Sequence, residues 1–424
     1  MLDINFIKEN KEIIKEAARK KRVDFDVEEL LNVDESRRSL LQEVEKLREK
    51  QNKANEVISQ AVGGDKDTAI EEMRELKEDL QTKEAKLQKI MEEWRGLMIR
   101  VPNIPDVTVP EGDDDEGNKE IRTWGEKPDF KFDPKSHSEI MTALDMVDFE
   151  RGTKVSGFRG YFLKNEGFLL SFAIWRHALD FFMKRGGFTP VMAPSLMNKE
   201  AFLGTAFLPQ GEEDLYRTQD DQYLAGTSEV PLMGYYMDEI IEKKSLPVKL
   251  LGFSPCFRRE AGSHGRDTKG LMRVHEFYKF EQVILCEANH EESVKWHEWI
   301  NENTEAFMQS LGIPYRVVVN CGGDLGLGQV KKYDIELWVP SEEKYREISS
   351  ASYFHDFQTR RLNIRYRETD GKIYFVHSLN CTATPTPRLL ISLIENNQLP
   401  DGSVLIPEAL RPYMGGKEKV EASE

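Results

Sequence analysis

The stretch that decides the fold runs from Phe253 to Gln282 and reads FSPCFRREAGSHGRDTKGLMRVHEFYKFEQ. Two alternating apolar runs enclose a glycine-containing segment of about a dozen residues, which predicts two strands joined by a loop. Because side chains alternate along a strand, Arg258 and Glu260 would share one face of the first strand. The second strand would present a matching set of side chains on one face: Arg273, His275, Phe277, Lys279 and Glu281.

This predicted face carries too much charge to serve as packing, because burying unpaired charge is costly. Arginine offers paired donors to phosphate, the ring of Phe277 offers a surface for a base, and the carboxylates can hold an amine or an exocyclic amino group. The face therefore favours a nucleotide. The alternative is an exposed hairpin whose alternating charges serve solubility, and the density of functional groups on one face weighs against it.

The order of residues in this stretch closely resembles motif 2 of the class II aminoacyl-tRNA synthetases. That motif reads Phe-Arg-x-Glu, a variable loop and then His-x-Phe, and the positions here are Phe257, Arg258, Glu260, His275 and Phe277. The resemblance runs without a gap and is to the seryl-tRNA synthetases in particular. It extends over nearly the whole chain, including the opening Met-Leu-Asp-Ile.

Length and composition set outer bounds on the class of protein. A chain of 424 residues can hold two or three domains, and 39% hydrophobic with 32% charged residues is ordinary for a globular protein with an extended solvated part. The net charge of -16 argues against non-specific binding of nucleic acid but leaves room for a specific RNA partner. No apolar run approaches about 18 residues, so no membrane span is expected.

The cysteines and the N-terminus indicate a reducing compartment. The four cysteines are widely spaced and form no C-x-x-C pair, which makes a zinc site or a disulfide framework improbable: Cys256, Cys286, Cys321 and Cys381. The N-terminus lacks a basic region followed by an apolar block, so secretion is not expected. We therefore expect a cytoplasmic protein.

Residues 1–102 are predicted to form a helical domain. A short amphipathic helix is expected over residues 1 to about 30, and two long seams follow with a 4-3-4-3 spacing of mostly apolar residues. The first seam is Leu40, Val44, Leu47, Gln51, Ala54, Ile58 and Ala61; the second is Met73, Leu76, Leu80, Lys83, Leu87, Ile90, Trp94, Leu97 and Val101. Gly63 and Gly64 between them predict an antiparallel hairpin with arms of about 45 Å. A dimerisation coiled coil fits this pattern equally well.

Residues 103–134 are rich in proline and contain the acidic run 113–116, which predicts a linker with an irregular loop. In residues 135–424 strands and helices alternate irregularly, and neither G-x-G-x-x-G nor G-x-x-x-x-G-K-[ST] occurs. A Rossmann or P-loop site is therefore not predicted. The resemblance implies a class II catalytic domain over 135–424, of α+β class, with an antiparallel sheet flanked by helices behind the N-terminal two-helix arm.

The segment Phe168 to Lys184 predicts a helix that ends at Gly186 and Gly187, and an extended run to Pro194 follows it. Taken alone, this is typical of a core helix and strand. It also resembles motif 1 of the class II enzymes, which in that family builds the dimer interface and braces both active sites. The resemblance therefore implies a homodimer.

Thr227, Ser228 and Glu229 lie between a predicted strand and a helix expected from Pro231. Threonine or serine capping a helix with proline in its first turn is common. The resemblance implies instead that Thr227 and Glu229 bind a small amino acid. Seryl-tRNA synthetases show Thr-Ala-Glu here, so Ser228 is a small departure.

The strand predicted over Tyr333 to Val339 places Asp334 and Glu336 on one face. In the later run 347–350, Glu347 and Ser349 would share a face and Ser350 would end the strand. A carboxylate and a hydroxyl suit a hard cation that bridges phosphates, although a plain edge strand is the alternative. In the family, the glutamate and second serine matching Glu347 and Ser350 hold magnesium and ATP.

The largest departure from the family lies in residues 380–388, which read NCTATPTPR where seryl enzymes typically begin Asn-Gly-Ser-Gly. Losing the glycines removes freedom at positive φ, and two prolines stiffen the turn into a helix expected over Leu389 to Asn397. Arg388 is expected one turn inside that helix, facing the γ-phosphate. Thr382 keeps the hydroxyl of the family's serine and adds a methyl group.

The resemblance implies a serine–tRNA ligase reaction with ATP and Mg²⁺. L-serine and ATP would give seryl-adenylate and pyrophosphate, and the seryl group would pass to tRNA(Ser), bound by the arm, with tRNA(Sec) as a second candidate. The implied ATP-binding residues are Arg258, Arg259, Glu260, Val274, Phe277, Glu347, Ile348, Ser349, Ser350 and Arg388. The implied serine-binding residues are Thr227, Ser228, Glu229, Arg258, Glu281, Asn380 and Thr382.

Within these sets, Arg258 and Arg388 would be catalytic, while Glu347 and Ser350 would bind the metal. The alternative is a paralogue that activates another small amino acid or uses an acceptor other than tRNA. Changes around Thr382 are what such a paralogue would show.

Overall fold

The computed structural model describes residues 1–60, 64–262, 265 and 267–422, and it describes their side chains except those of 57–60, 64–70 and 72. The chain divides into two compact units, residues 1–19 with 23–102 and residues 20–22 with 103–424. Within the described ranges, none of the helices combines the length and apolar character that crossing a membrane requires.

The first unit is built from helices: α1 (Ile4–Glu9), α2 (Lys11–Lys20), α3 (Val27–Gln60) and α4 (Gly64–Met98). The single short helix expected at the N-terminus is wrong, since Asn10 ends α1 and α2 follows directly. The first long helix also begins at Val27, well before the apolar seam becomes visible at Leu40.

Helices α3 and α4 pack antiparallel, as the two seams predict. Arg37 lies over the ring of Trp94 at 4.7 Å, and farther along Arg48 pairs with Glu84 at 2.6 Å. The described seam residues are half-buried or buried while most of the residues around them are exposed, and Val44 and Leu80 are buried. At 1.5 Å per residue each helix is about 50 Å long. Ala61, Gly63 and the side chain of Ile58 lie outside the described residues, so the predicted glycine turn stays a prediction.

The second unit contains the remaining helices: α5 (His137–Ala143), α6 (Phe149–Ser156), α7 (Asn165–Arg185), α8 (Lys199–Thr205), α9 (Glu229–Gly234), α10 (His290–Ser310), α11 (Phe357–Leu362) and α12 (Arg388–Asn396). The longer strands are β1 (Lys119–Trp124), β4 (Thr189–Met192), β8 (Val248–Phe257), β9 (Glu276–Cys286), β10 (Tyr315–Val319), β11 (Lys331–Val339), β12 (Lys344–His355) and β15 (His377–Thr386). The shorter strands are β2 (Val147–Asp148), β3 (Phe162–Leu163), β5 (Leu196–Met197), β6 (Tyr223–Leu224), β7 (Ile240–Glu242), β13 (Arg365–Arg367), β14 (Ile373–Phe375), β16 (Val404–Leu405) and β17 (Lys419–Val420).

In the described part of this unit, eight strands form one sheet in the order β1-β10-β11-β12-β15-β9-β8-β4. Neighbouring strands are antiparallel except for β4, which pairs with β8 in parallel at the edge. The α+β class and the antiparallel sheet are confirmed. One face of β8 and β9, including Phe280 and Ile284, enters the main hydrophobic core together with α7.

The segment 103–134, expected to be a linker and an irregular loop, contributes the edge strand β1, which pairs with β10. Its side chains are nearly all exposed, so it lacks the alternation of apolar and polar residues that marks a half-buried strand. Backbone pairing with β10, which the sequence pattern does not reveal, holds it in the sheet.

Candidate active site

A central cavity that is partly open to solvent lies above strands β9, β12 and β15. Seven of the ten residues expected to bind ATP line it: Arg258, Glu260, Val274, Phe277, Glu347, Ile348 and Arg388. Arg259, Ser349 and Ser350 are not among the lining residues. The remaining lining residues include Leu271, Met272, Arg273, Lys279, Thr382, Pro385, Thr386 and Pro387.

The hairpin that supplies most of these residues is less regular than expected. Strand β8 ends at Phe257 and β9 begins at Glu276, so the connection is longer than the predicted loop. Glu260 has a left-handed backbone with φ 55°, which means that strand alternation cannot place it beside Arg258. Both reach the cavity because the backbone N–H of Arg258 donates to His275 O and keeps the ends of the loop together.

Three guanidinium groups, from Arg258, Arg273 and Arg388, converge on the cavity. Arg258 lies 5.3 Å from the centroid of the Phe277 ring, and Arg273 donates to Glu260 Oε2 at 2.5 Å. Burial lowers the pKa of Arg388, and repulsion from Arg258 and Arg273 adds to that effect, while Glu347 opposes it. Such a concentration of positive charge beside an aromatic ring suits a polyphosphate attached to a base.

Arg388 is the first residue of α12, not one turn inside it as expected. Its Nη1 donates to Glu347 O at 2.9 Å and its Nε donates to Met272 O at 3.2 Å. These two carbonyl groups belong to β12 and to the loop before β9. The guanidinium is thus held by two segments that both line the cavity.

The pairing of β11 with β12 corrects the expected arrangement of the run 347–350. The opposed residues are Asp334 with Ser350, Ile335 with Ser349, and Glu336 with Glu347, so the register shifts and Ile348 is an additional residue. Because opposed residues share a face, Glu347 lies on the face of Ser350, and Ser349 takes the other face. Strand β12 also continues to His355, so Ser350 does not end it. The hydroxyl of Ser349 donates to Thr382 O at 2.6 Å.

Carboxylates gather on the face that Glu347 and Ser350 share. Burial raises the pKa of Asp334, as does the negative charge of Glu347, against the effect of Lys332. Burial and the charge of Glu347 also raise the pKa of Glu336, which Arg316 opposes. A cation placed on this face would relieve the repulsion. Among the described residues, no three His, Cys, Asp or Glu side chains converge as a complete metal site.

Six of the seven residues expected to bind the amino acid are buried: Thr227, Ser228, Glu229, Glu281, Asn380 and Thr382. The seventh, Arg258, is half-buried and lines the partly open cavity. Helix α9 begins at Glu229, two residues before the expected start. Thr227 Oγ1 accepts from the backbone N–H of Glu229 at 3.3 Å, while Ser228 Oγ contacts Ser254 Oγ at 2.7 Å. Thr227 therefore has a capping contact as well as its expected role.

Glu229 is the most strongly perturbed acid of this group. Burial raises its pKa to about 7, and Glu281 adds to that effect, while a hydrogen bond from Gln358 lowers it. Gln358 Nε2 donates to Glu229 Oε1 at 2.7 Å, and Gln358 Oε1 accepts from Ser378 at 2.8 Å. A buried carboxyl held in one orientation is suited to bind an ammonium group.

Comparison with known proteins decides the family. The chain is 45% identical over 419 residues to the serine–tRNA ligase of Deinococcus radiodurans, covering 99% of this chain and 98% of the relative. The chain belongs to the seryl-tRNA synthetase family. A serine–tRNA ligase of Clostridium tetani is 44% identical over 428 residues, covering 99% of this chain and all of the relative.

Two family models match separate parts of this seryl-tRNA synthetase chain. The seryl-tRNA synthetase N-terminal domain matches residues 1–105, and the class II tRNA synthetase core domain (G, H, P, S and T) matches residues 213–397. Among solved structures, the seryl-tRNA synthetase of Pyrococcus horikoshii complexed with ATP has a TM-score of 0.89 and 38% identity, with both chains covered completely. The cytoplasmic serine–tRNA ligase of Naegleria fowleri in complex with AMP has a TM-score of 0.87 and 32% identity, covering 100% of this chain and 99% of that chain.

Most of residues 380–388, the largest departure from the family pattern, lie in a strand that runs almost to Arg388. Strand β15 runs to Thr386, with a register shift against β9 between Thr382 and Thr384. Trp175 Nε1 on α7 donates to Thr386 Oγ1 at 2.9 Å and so ties the strand to the motif 1 helix. The prolines therefore stiffen a segment that already has partners on several sides.

Sequence reasoning missed roles for three residues in or beside the cavity, Arg273, Lys279 and Gln358. Arg273 and Lys279 lie on the predicted ligand-facing side of the second strand, so their position was a usable signal. Gln358 is distant in sequence and reaches the site through its hydrogen bonds with Glu229 and Ser378. No local pattern indicates that contact.

Proposed function

We propose that this chain activates L-serine with ATP, releases pyrophosphate, and transfers the seryl group to the 3′ end of tRNA(Ser). The observation that carries the proposal is the three-guanidinium cavity, whose lining residue Thr382 contacts the buried Glu281, with the buried Glu229 close by. A triphosphate with a stacked base suits the first part, and a small amino acid with an alcohol suits the second. The relatives' names agree with this division.

The chemistry needs positioning more than proton transfer. The attacking carboxylate of serine is already ionised at neutral pH, so no general base is required for adenylate formation. Arg258 and Arg388 would orient the phosphates and stabilise the charge that develops on them, while Phe277 would stack on adenine and Glu260 would hold its amino group. Arg388 is fixed by two backbone carbonyls, which is the preorganisation that such stabilisation requires.

Glu347 and Ser350 would hold Mg²⁺. Their oxygen donors are of the kind that magnesium prefers, and the repulsion among carboxylates on their face favours a cation there. Bound at this place, Mg²⁺ would neutralise phosphate charge during adenylate formation. Two protein ligands suffice for this role because phosphate oxygens and water would complete the coordination.

Serine would be held through its ammonium and hydroxyl groups. Thr227, Glu229 and Glu281 offer acceptors to the ammonium, while Asn380 and Thr382 would bind near the side chain. A buried site that pairs with a substrate hydroxyl rejects an amino acid lacking it, since its polar groups would be left unpaired. Strong rejection of alanine would follow without any editing domain.

The rival is a paralogue that activates another small amino acid or uses a different acceptor. A non-catalytic homologue would be expected to lose Arg258, Glu260 or Arg388, and all three are present. Amino-acid-dependent ATP/pyrophosphate exchange with serine, threonine, alanine and glycine separates the remaining candidates. Serine should give the highest kcat/KM; a higher value with any of the others would favour the paralogue.

We also propose that the chain acts as a cytoplasmic homodimer through its motif 1 region. Helix α7 carries exposed apolar side chains at helical spacing along one face: Phe168, Leu169, Phe172, Leu179 and Met183, each between 37% and 49% exposed. Met192, on the neighbouring edge strand β4, is 86% exposed. An apolar face of this kind on a soluble chain favours a partner. All four cysteines are free and buried, which suits a reducing compartment.

The double variant Phe172→Glu/Leu179→Glu is expected to sediment as a monomer at micromolar concentration, because two buried charges would oppose association across a two-fold axis. Analytical ultracentrifugation measures this directly. Ile373→Glu is the matched control, since Ile373 is 43% exposed on β14, outside the α7 face. A double variant that sediments like the wild-type dimer would exclude α7 from the interface.

A further inference from the structure

Lys279 is a buried lysine in β9 to which the mechanism above gives no role. Its side chain is 6% exposed, that of Glu281 is 3% exposed, and Lys279 Nζ lies 2.7 Å from Glu281 Oε2. Nζ also donates to Thr382 Oγ1 at 3.3 Å, and Thr382 Oγ1 donates to the same Glu281 Oε2 at 3.2 Å. The ammonium, carboxylate and hydroxyl groups therefore form a closed triangle of contacts.

The strands hold this triangle in place. Thr382 on β15 lies directly opposite Glu281 on β9, and Lys279 lies two residues before Glu281, which puts the three side chains on one face. The backbone of Thr382 is fixed from behind, because its carbonyl accepts from Ser349 at 2.6 Å and from Thr304 at 3.3 Å. The orientation of the Thr382 hydroxyl is thus set by its neighbours and not by solvent.

The direction of each hydrogen bond follows from the chemistry of the three groups. An ammonium can only donate, an ionised carboxylate can only accept, and a hydroxyl has one proton and two lone pairs. The Thr382 hydroxyl donates its hydrogen bond to Glu281, and one of its two lone pairs accepts a hydrogen bond from Lys279. Only one lone pair remains, so Thr382 can act toward a ligand only as an acceptor.

We propose that Lys279 is a positioning residue for substrate choice. By fixing the orientation of the Thr382 hydroxyl, it makes Thr382 select an amino acid whose side chain carries a hydrogen-bond donor. This rests on the proposed function and deepens it. Lys279 and Thr382 both line the central cavity, so the open lone pair can face it. Serine offers its O–H to that lone pair, whereas alanine leaves it unpaired in a buried site. Without Lys279 the Thr382 hydroxyl can rotate. Serine then loses its hydrogen bond to Thr382, whereas alanine has no such bond to lose.

The test compares Lys279→Met with wild type in ATP/pyrophosphate exchange. The ratio of kcat/KM for serine to that for alanine should fall at least tenfold, while KM for ATP stays within about threefold. Lys249→Met is the matched control: Lys249 lies on the neighbouring strand β8, its Nζ donates to Gly186 O, and it does not line the cavity. The serine-to-alanine ratio of kcat/KM for Lys249→Met should equal that of wild type.

Lys279→Gln decides the matter if the Met variant does not fold. Its amide is uncharged and one bond shorter, so it cannot make both contacts equally well, and the serine-to-alanine ratio should fall at least threefold. A ratio unchanged in a folded variant overturns the proposal. So does an equal loss for serine, alanine and ATP, which would make Lys279 a purely structural residue. Failure of the proposed function would appear separately, as a wild-type protein without serine-dependent exchange.

Discussion

Arg388→Ala is expected to lose serine-dependent ATP/pyrophosphate exchange by about two orders of magnitude or more. Arg388 is the first residue of α12, and its guanidinium donates to Glu347 O and Met272 O, so its charge is in place before ATP binds. Removing it takes away a preorganised charge that alanine cannot replace. The same size of loss is expected for Arg258→Ala, whose side chain also holds the Phe277 ring. Exchange kinetics at saturating serine measure both.

Arg411→Ala is the matched control for these variants. Its Nε donates to Ile406 O at 3.1 Å, a backbone contact similar to those of Arg388, and it does not line the cavity. Exchange should stay near the wild-type rate. If Arg388→Ala and Arg258→Ala both exchanged at near-normal rates, phosphate binding would have to be assigned elsewhere.

Removing the helical arm is expected to abolish charging of tRNA and to leave adenylate formation intact. We propose that residues 35–100 dock the long variable arm of the tRNA. Arg37 and Trp94 face each other across α3 and α4, so residues 40–91 can be replaced by a short glycine-serine linker at a level where the two helices are adjacent. Exchange should stay within about threefold of wild type, whereas tRNA(Ser) charging should fall by about two orders of magnitude or more.

Both activities are measured on the same preparation, so exchange serves as the control for folding. Charging that survived the deletion would make the arm a structural coiled coil only, the alternative that its sequence pattern also permits. Charging and exchange lost together would instead indicate that the arm supports the catalytic unit.

The features that could be predicted are those with a strong repeating signal. The 4-3-4-3 seams identified the paired helices, because a helix that buries one side must repeat near every 3.5 residues. The functional face of the β9 strand was also visible, since Phe277, Lys279 and Glu281 are spaced two residues apart, while Phe280 and Ile284 enter the main core. The family resemblance supplied the residues of the nucleotide side, most of which line one cavity.

The features that escaped prediction depend on single residues that break a repeat. The extra residue Ile348 moves Ser349 to the opposite face, and Glu260 reaches the cavity from a left-handed turn. The exposed strand β1 carries no alternation at all. Contacts between distant segments, such as Gln358 with Glu229, are set by the packing of α11 against the sheet. No local sequence pattern indicates them.

The most direct test of the central claim is the incorporation of labelled pyrophosphate into ATP by the purified protein, given L-serine and Mg²⁺. We expect exchange that depends on serine and is lost when either serine or magnesium is omitted. A properly folded protein that catalyses no exchange under these conditions would show that the guanidinium cavity and the buried polar residues beside it do not activate serine.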